Sequence, residues 1–307
     1  MLFVNARERF LLDCKARALS PNTIERYTND LSTLERFISI RNVFHLEEIT
    51  PDLLREFVAH LLARRHRYRA DSPISPFTVD GIYRSCRTFF VFCAREDFLQ
   101  INPMERVRHI KLPQRLVPRL SEDQVYQLIK EVEKTKLPKR NLAMILLLAD
   151  SGLRRSEMLN LAVDDVHLDE GYVRVVGKGN KQREVPIGKA ARKAIRIWLK
   201  ARPYSKTQSV FVNSDGTPFR KNGLGSLFRR LRKYLGLKRL YPHLLRHTFA
   251  KMYLRRSHDH KALQNVLGHS RSSTTLDLYV DYDIEDLKEI HRFASPVDAI
   301  LKSKRKR

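Results

Sequence analysis

Two basic segments in the second half of the chain carry side chains that could bind a phosphate group. Arg154 follows a nearly all-apolar run at 141–149, so a buried helix would lead directly to this arginine. His243 and Arg246 stand three residues apart just after Pro242, so they share one face of a helix near its N-terminus. A guanidinium offers a planar fork of donors that matches two phosphate oxygens. The two segments therefore predict an anion site, with an exposed arginine at a helix start as the alternative for Arg154.

A lysine between glycines and a later tyrosine could complete such a site. Gly177 and Gly179 flank Lys178, so a hairpin tip there could approach a ligand closely, and the ammonium could give up a proton. The GxxxxGKS or GxxxxGKT spacing of a nucleotide-binding P-loop is missing. Further along, Tyr279 stands ten residues after His269. Taken singly, these features also fit a glycine-rich turn, a helix end and a core tyrosine.

Metal binding is the less favoured interpretation of the histidines. His243 and His247 have the i, i+4 spacing of helical metal ligands, but the glutamate of an HExxH motif and a third ligand are missing. The three cysteines form no CxxC pair that would suggest zinc. The sequence therefore predicts neither a metal nor a cofactor.

Basic residues are concentrated in the second half of the chain. The 307 residues include 59 Lys and Arg against 34 Asp and Glu, and 41 and 20 of these fall after residue 111. Neutralised phosphates release their condensed counterions, so such a surface predicts a nucleic-acid partner ahead of an anionic membrane. With no apolar run of about 18 residues and no basic-then-apolar signal segment, the sequence predicts a cytoplasmic protein without a membrane span.

Helix signals fill the first 110 residues. An amphipathic segment at 3–17 is followed by three cap-then-proline signatures, each ahead of apolar residues at three- and four-residue spacing. These signatures begin at Ser20, Thr50 and Ser75, and the last helix is predicted to end near residue 98. Such helices make a small bundle, which predicts an N-terminal helical domain over 1–110.

Prolines separate this half from a mixed second half. Pro113 and Pro118 interrupt a basic stretch, which places a linker at about 111–119. After it, Ser121 begins a helix, and short β-branched runs at 172–176 and 183–187 flank a glycine turn, which predicts a β-hairpin. Further helices are predicted near 188–201, 223–235, 243–256 and 259–267, and after 283. The fold class is therefore two-domain and mainly α, with a mixed α/β domain over 120–307 that contains a small antiparallel sheet.

The candidate residues, taken in their order along the chain, resemble the tyrosine recombinase (phage integrase) family, in its Xer- or Cre-like form. SGLRRSEML resembles the first arginine box of the family, VVGKGNKQREVPI its lysine hairpin, HLLRH its second box and LGHSRSSTTLDLY its final histidine-to-tyrosine stretch. LSPNTIERYTNDLSTLERFI is similar to the start of the helical, SAM-like core-binding domain. The chain departs from the pattern at Ser151, where many members have threonine. The spacing from His269 to Tyr279 is also one residue longer than in many Xer-type members.

The resemblance implies DNA strand breakage and rejoining without a metal ion or nucleotide. Tyr279 would attack the scissile phosphate, form a 3′-phosphotyrosyl bond and free a 5′-hydroxyl, which conserves the bond energy without ATP. Tyr282, three residues on, is the alternative nucleophile. Arg154 and Arg246 would clamp the non-bridging oxygens and stabilise the transition state.

The remaining motif residues would support this reaction. Lys178 would protonate the leaving 5′-oxygen, and His243 would serve as acid or base near the nucleophile. His269 would hydrogen-bond a phosphate oxygen. Glu157, one helical turn after Arg154, would fix a neighbouring side chain, with a surface ion pair as the alternative. Two basic residues of the hairpin are candidate DNA contacts: Lys181 and Arg183.

The resemblance also implies partners. Members of the family form a clamp around double-stranded DNA at a specific recombination site, as a dimer on one site and a homotetramer on paired sites, and pass through a Holliday junction. A partner recombinase or an accessory DNA-bending protein could take part. The segment after Asp283 is similar to the C-terminal helix of the family, which docks on a neighbouring protomer; docking on its own chain is the alternative.

Three other functions fit part of the sequence. A type IB topoisomerase-like enzyme shares the chemistry but relaxes DNA as a monomer, and the family-like N-terminal domain argues against it. A catalytically silent sequence-specific DNA-binding protein could share the fold, but the complete set of candidate residues argues against that. An RNA-binding protein would explain the charge and leave the order of the motifs unexplained.

Overall fold

The computed structural model describes residues 1–66, 69–113, 118–177 and 182–268, with only the backbone at 65–66 and 69–72. The chain divides into two compact units, Met1–Arg115 and Leu116–Arg307, and each has its own hydrophobic core. The predicted linker at 111–119 includes this division, and its bounds stay a prediction. The helix predicted after Asp283 lies outside the described residues.

The first unit is built mainly from helices. Within its described part these are α1 (Phe3–Ala16), α2 (Pro21–Ser39), α3 (Pro51–Ala63) and α4 (Pro76–Arg95). Ser20 Oγ accepts a hydrogen bond from the Thr23 N–H (3.3 Å), and Thr50 Oγ1 accepts one from the Leu53 N–H (3.2 Å), so these two predicted caps are confirmed.

The helix α4 starts where the sequence predicts, but its cap and its end differ from the prediction. Ser75 precedes Pro76 at the start, but its side chain makes no capping hydrogen bond. The helix ends at Arg95, about three residues earlier than predicted, because Asp97 adopts a left-handed backbone conformation with φ of 57°.

Aromatic rings fill the core of this unit. Phe10 of α1 packs against Phe89 and Phe92 of α4, with ring centroids 5.6 and 5.3 Å apart. Phe3 meets Phe89 edge-on at 5.2 Å. The apolar faces of the helices therefore close on one another, and the predicted helical bundle is confirmed. A short hairpin, β1 (Arg65–His66) and β2 (Arg69–Pro73), joins α3 to α4 and was not predicted.

The second unit is mixed. Its described elements are α5 (Glu122–Val132), α6 (Pro138–Ser151), α7 (Arg155–Leu159), β3 (Val166–His167), β4 (Tyr172–Val176), β5 (Gln182–Pro186), α8 (Lys189–Ala201), α9 (Lys221–Tyr234), α10 (Pro242–Ser257) and α11 (His260–Leu267). The helices predicted within the described residues and the antiparallel pairing of the two hairpin strands are confirmed, and with them the mainly α fold class with a small antiparallel sheet. The strand β3, which pairs with β4, was not predicted.

Two features of this unit position the candidate site. The helix α6 is largely buried and ends at Ser151. The next residue is Gly152, where φ is +62° and a side chain would overlap the ring of Phe249. The strands β4 and β5 are antiparallel, with Val175 opposite Arg183. The chain therefore turns sharply just before Arg154, and the hairpin holds Arg183 beside that turn.

None of the helices among the described residues is both long and apolar enough to cross a membrane.

Candidate active site

Arg154 is fixed at the start of the short helix α7. Its backbone N–H donates to Glu157 Oε2 (2.8 Å) and its Nη1 donates to Glu157 Oε1 (2.7 Å), so backbone and side chain hold the same carboxylate. Its Nη2 donates to the carbonyl oxygen of Gly268 (3.2 Å). The side chain is 34% exposed, so part of the guanidinium faces solvent while its orientation is set from behind.

Glu157 is the buried centre of this arrangement. Besides the two bonds from Arg154, it accepts hydrogen bonds from Arg183 Nη1 and Nη2, each at 2.9 Å. Burial alone would raise the pKa of Glu157, but the donors of Arg183 and Arg154 outweigh it and lower the pKa to about 2. The carboxylate is therefore ionised at neutral pH. Its side chain is 3% exposed, so the alternative of a surface ion pair does not fit.

Arg246 lies on the inner face of α10 and is 1% exposed. Its Nη1 donates to the carbonyl oxygen of Gly152 (2.7 Å), and its Nη2 donates to that of Leu267 (2.9 Å). The same guanidinium therefore ties the turn before Arg154 to the end of α11.

Arg183 was predicted to contact DNA, but its side chain is directed into the protein. Its guanidinium points inward to Glu157, its Nε donates to the carbonyl oxygen of Val266 (3.2 Å), and the side chain is 15% exposed. A Cβ atom at Gly268, where φ is +63°, would lie 2.7 Å from this Nε. Only glycine leaves room for the arginine at this point.

Guanidiniums thus bind three successive carbonyl oxygens at the end of α11. Arg183 binds that of Val266, Arg246 that of Leu267 and Arg154 that of Gly268. The last carbonyls of a helix lack partners within it and carry its partial negative charge, so cations are favourable there. Because His269 follows Gly268 directly in the chain, these arginines fix the point from which the final motif begins.

His243 lies near the N-terminus of α10 and is exposed. The pKa of its imidazole is lowered by partial desolvation and then by the positive charges of Arg246 and Arg154. Its ring meets that of His247 edge-on, with centroids 4.4 Å apart. In the described ranges, no three His, Cys, Asp or Glu side chains come together as potential metal ligands. Because its pKa is lowered, the imidazole of His243 is uncharged at neutral pH and can accept a proton.

The structure brings together five of the residues that the sequence singled out, and the others lie outside its described ranges. The former are Arg154, Glu157, Arg183, His243 and Arg246. The latter are Lys178, Lys181, His269 and Tyr279. Sequence reasoning missed that Arg183 faces Glu157, and it missed the carbonyl oxygens that the guanidiniums bind. The opposite charges alone do not predict the pair, because several acidic residues were available to Arg183.

Comparisons with known proteins agree on both units of the chain. Residues 118–285 match the family described as "Phage integrase family", and residues 8–97 match "Phage integrase, N-terminal SAM-like domain". Among curated proteins, the tyrosine recombinase XerC of Pseudomonas syringae pv. syringae is 33% identical over 91% of this chain and 92% of its own length. The tyrosine recombinase XerD of Halalkalibacterium halodurans is 31% identical over 91% and 93%.

Solved structures show the same architecture. The crystal structure of XerA recombinase is 26% identical, covers 96% of this chain and 99% of its own, and superposes with a TM-score of 0.53. The Tn1549 transposon integrase in complex with transposon right-end DNA is 19% identical over 96% and 100% of the two chains, with a TM-score of 0.78. At that identity the second match is evidence for the fold.

Proposed function

Because the chain belongs to the phage integrase family and is a site-specific tyrosine recombinase, we propose that it cuts and rejoins DNA through a phosphotyrosyl bond at Tyr279. The observation that carries this proposal is the convergence of Arg154, Arg246 and Arg183 on the last carbonyls of α11. Those carbonyls directly precede His269, which lies ten residues before Tyr279 in the chain.

The proposed reaction is a pair of phosphoryl transfers. The Tyr279 phenolic oxygen attacks the scissile phosphorus and passes its proton to His243, whose lowered pKa leaves it neutral and able to accept. The bond from phosphorus to the 5′-oxygen breaks, and Lys178 gives that oxygen a proton. A 5′-hydroxyl of the partner strand then gives its proton to Lys178 and attacks the phosphorus. The bond from phosphorus to the Tyr279 oxygen breaks, and His243 returns the proton to the phenol.

The charge of the site favours a phosphate. Two guanidiniums, of Arg154 and Arg183, contact the Glu157 carboxylate, and that of Arg246 binds backbone carbonyl oxygens nearby. These four side chains together carry a net positive charge of two. Positive groups fixed before the reaction stabilise the charge that develops on the transferred phosphate. Arg154 is exposed enough to reach it, while Arg246 is 1% exposed. The proposed clamp therefore requires that DNA binding uncover Arg246.

Glu157 and Arg183 are positioning residues in this proposal. Glu157 holds the Arg154 guanidinium through Nη1, and Arg183 holds Glu157 with both Nη atoms. Because the Arg154 guanidinium is held in position before DNA binds, the reaction does not have to lose entropy in ordering it. His269 is proposed to hydrogen-bond a phosphate oxygen, and Lys181 to contact the DNA backbone.

The proposed partner is double-stranded DNA carrying a specific recombination site. A core-binding domain at 1–110, a linker at 111–119 and a catalytic domain at 120–307 would act as a dimer on one site and a tetramer on paired sites. The reaction would pass through a Holliday junction in the cytoplasm, on a mobile element or a chromosome. A partner recombinase or a DNA-bending protein could join the assembly.

Covalent trapping tests the proposal. Nicked duplexes, carrying candidate sites from the DNA that flanks the gene, should form an SDS-resistant, protease-sensitive adduct with the wild type and with Tyr282→Phe, and none with Tyr279→Phe. An adduct lost only in Tyr282→Phe would reassign the nucleophile. Joined products from two DNA molecules are expected, whereas relaxation of supercoils alone would favour a topoisomerase. Site-specific binding without any adduct would favour a silent DNA-binding protein.

A further inference from the structure

A basic pocket lies at the far end of α6 from the candidate active site. It has a volume of about 700 Å³, and its charged lining residues are Lys136, Arg140, Arg229 and Arg230. No aspartate or glutamate is among the described residues that line it. Polar groups of Asn213 and other small side chains complete the walls. We refer to this feature as the basic pocket.

Arg140 forms the floor of the basic pocket and is 7% exposed. Its Nε and Nη2 donate to Asn141 Oδ1 (3.0 and 2.9 Å), and its Nη1 donates to the carbonyl oxygen of Val212 (3.1 Å). All of these acceptors are neutral. Burial, and then repulsion by Arg230, lower the pKa of Arg140 to about 10, so it still carries its charge at neutral pH.

The chain makes a specific platform for this buried cation. The Arg140 guanidinium lies 4.0 Å from the centre of the Phe219 ring, a cation–π geometry. A Cβ atom at Gly223 of α9 would lie 2.6 Å from the same ring. Glycine inside a helix costs about 1 kcal/mol relative to alanine. Gly223 therefore leaves room for Phe219 beneath Arg140, although a helix favours alanine over glycine at such a position.

The charge of the basic pocket is uncompensated among the described residues. Within the described residues, no carboxylate pairs with Arg140 or with the three exposed cations beside it. Other surface arginines of this unit do have acidic partners, such as Arg174 with Glu184 and Arg196 with Asp169. A buried charge without a counter-charge is unfavourable, and a bound anion would relieve both this cost and the repulsion between the cations.

We propose that the basic pocket binds a phosphate group, supplied in the working protein by the DNA backbone. The DNA source rests on the proposed function, whereas the affinity for phosphate rests on the pocket alone. Arg140 and Ser151 are separated by about 17 Å along α6, a length that a duplex covers in about five base pairs. A duplex that lies along α6 would therefore span the distance between the active site and the basic pocket, and in this proposal the pocket fixes the register of the scissile phosphate.

The first arm of the test measures DNA binding against salt with a mixed-sequence duplex of about 40 base pairs. The variant is Lys136→Gln with Arg230→Gln; Arg140 is left in place because it is buried. The matched control is Lys193→Gln with Lys200→Gln, two exposed lysines of α8 without ion-pair partners among the described residues. The slope of log K against log salt should become shallower by about 0.9 in the pocket variant relative to the control, as one phosphate contact is lost.

The second arm uses inorganic phosphate without DNA. Phosphate should raise the melting temperature of the wild type and the control above that in chloride of equal ionic strength, and the pocket variant should lose this rise. Loss of both effects supports the proposal. If the pocket variant loses the phosphate effect but keeps an unchanged salt slope, DNA is not the source of the phosphate. If the pocket variant loses neither effect, the proposal that the pocket binds phosphate is overturned.

Failure of the proposed function remains distinguishable, because neither arm uses strand cleavage. A chain that binds DNA through the pocket but never forms a covalent adduct would contradict the proposed reaction and leave the pocket intact. If the protein bound no duplex, DNA would not be its partner. The experiment with inorganic phosphate would then test on its own whether the pocket binds phosphate.

Discussion

Replacing Glu157 by glutamine should destabilise the second unit by about 3–5 kcal/mol, the usual cost of removing one partner of a buried ion pair. The carboxylate accepts from Arg154 N and Nη1 and from Arg183 Nη1 and Nη2, with both oxygens used twice. Glutamine keeps the shape but has one oxygen. Its amide nitrogen would face two N–H donors, and the guanidiniums of Arg154 and Arg183 would lose their counter-charge.

The pKa of Glu157 gives an independent magnitude. Lowering it from the ordinary value of 4.5 to about 2 corresponds to about 3 kcal/mol of folding free energy. Because the folded state binds the proton more weakly than the unfolded chain, this contribution is complete above pH 4.5 and is lost as the pH falls towards 2. The advantage of the wild type over Glu157→Gln should shrink across the same window.

Urea unfolding followed by tryptophan fluorescence measures this effect in the correct unit. Trp198 is the sole tryptophan in the sequence and is 2% exposed in the core of the second unit. Glu184→Gln is the matched control, because Glu184 pairs with Arg174 at 3.2 Å on the surface, and its loss should cost at most about 1 kcal/mol. Equal stabilities of the two variants at neutral pH would refute the reasoning.

Three further outcomes follow from the same contacts. Gly152→Ala should lower adduct formation and cost about 2 kcal/mol or more of unfolding free energy, because its side chain would overlap Phe249 at positive φ. Gly225→Ala, with open space around it in α9, should not destabilise the protein in the same urea titration. The rate of adduct formation should fall only below the ordinary histidine pKa of about 6.5, since the pKa of His243 is lowered, and a fall beginning above it would contradict the proton acceptor. Burial raises the pKa of the Cys93 thiol to about 12, so an aromatic disulfide reagent should label it only after unfolding, and rapid labelling of the native protein would contradict its burial.

Local signals predicted most of the helices. Ser20 and Thr50 begin helices because a hydroxyl and the following proline satisfy the first turn without help from elsewhere in the chain. The run at 141–149 predicted a buried helix for a different local reason: its residues are nearly all apolar and therefore have to be covered. Elements that depend on a partner were missed: β3 is two residues long and exists only through its pairing with β4.

The sequence predicted which residues form the candidate site better than it predicted where their side chains point. The order of the six motif residues, Arg154, Lys178, His243, Arg246, His269 and Tyr279, carried the resemblance to the family. The structure places Arg154, His243 and Arg246 together. The direction of Arg183 depends on a carboxylate 26 positions away and on the glycine at 268, which leaves room for it. No local pattern carries that information, because both partners lie on other elements.

Localising the DNA on the protein tests the central claim most directly. The adduct from a nicked duplex is trimmed with nuclease, digested with trypsin and fragmented in a mass spectrometer. The tryptic peptide at 272–288 contains both Tyr279 and Tyr282, so fragment ions between them distinguish the two. We predict a 3′-phosphonucleotide on Tyr279 in the wild type. The same mass on Tyr282, or on a residue outside this peptide, would contradict the account.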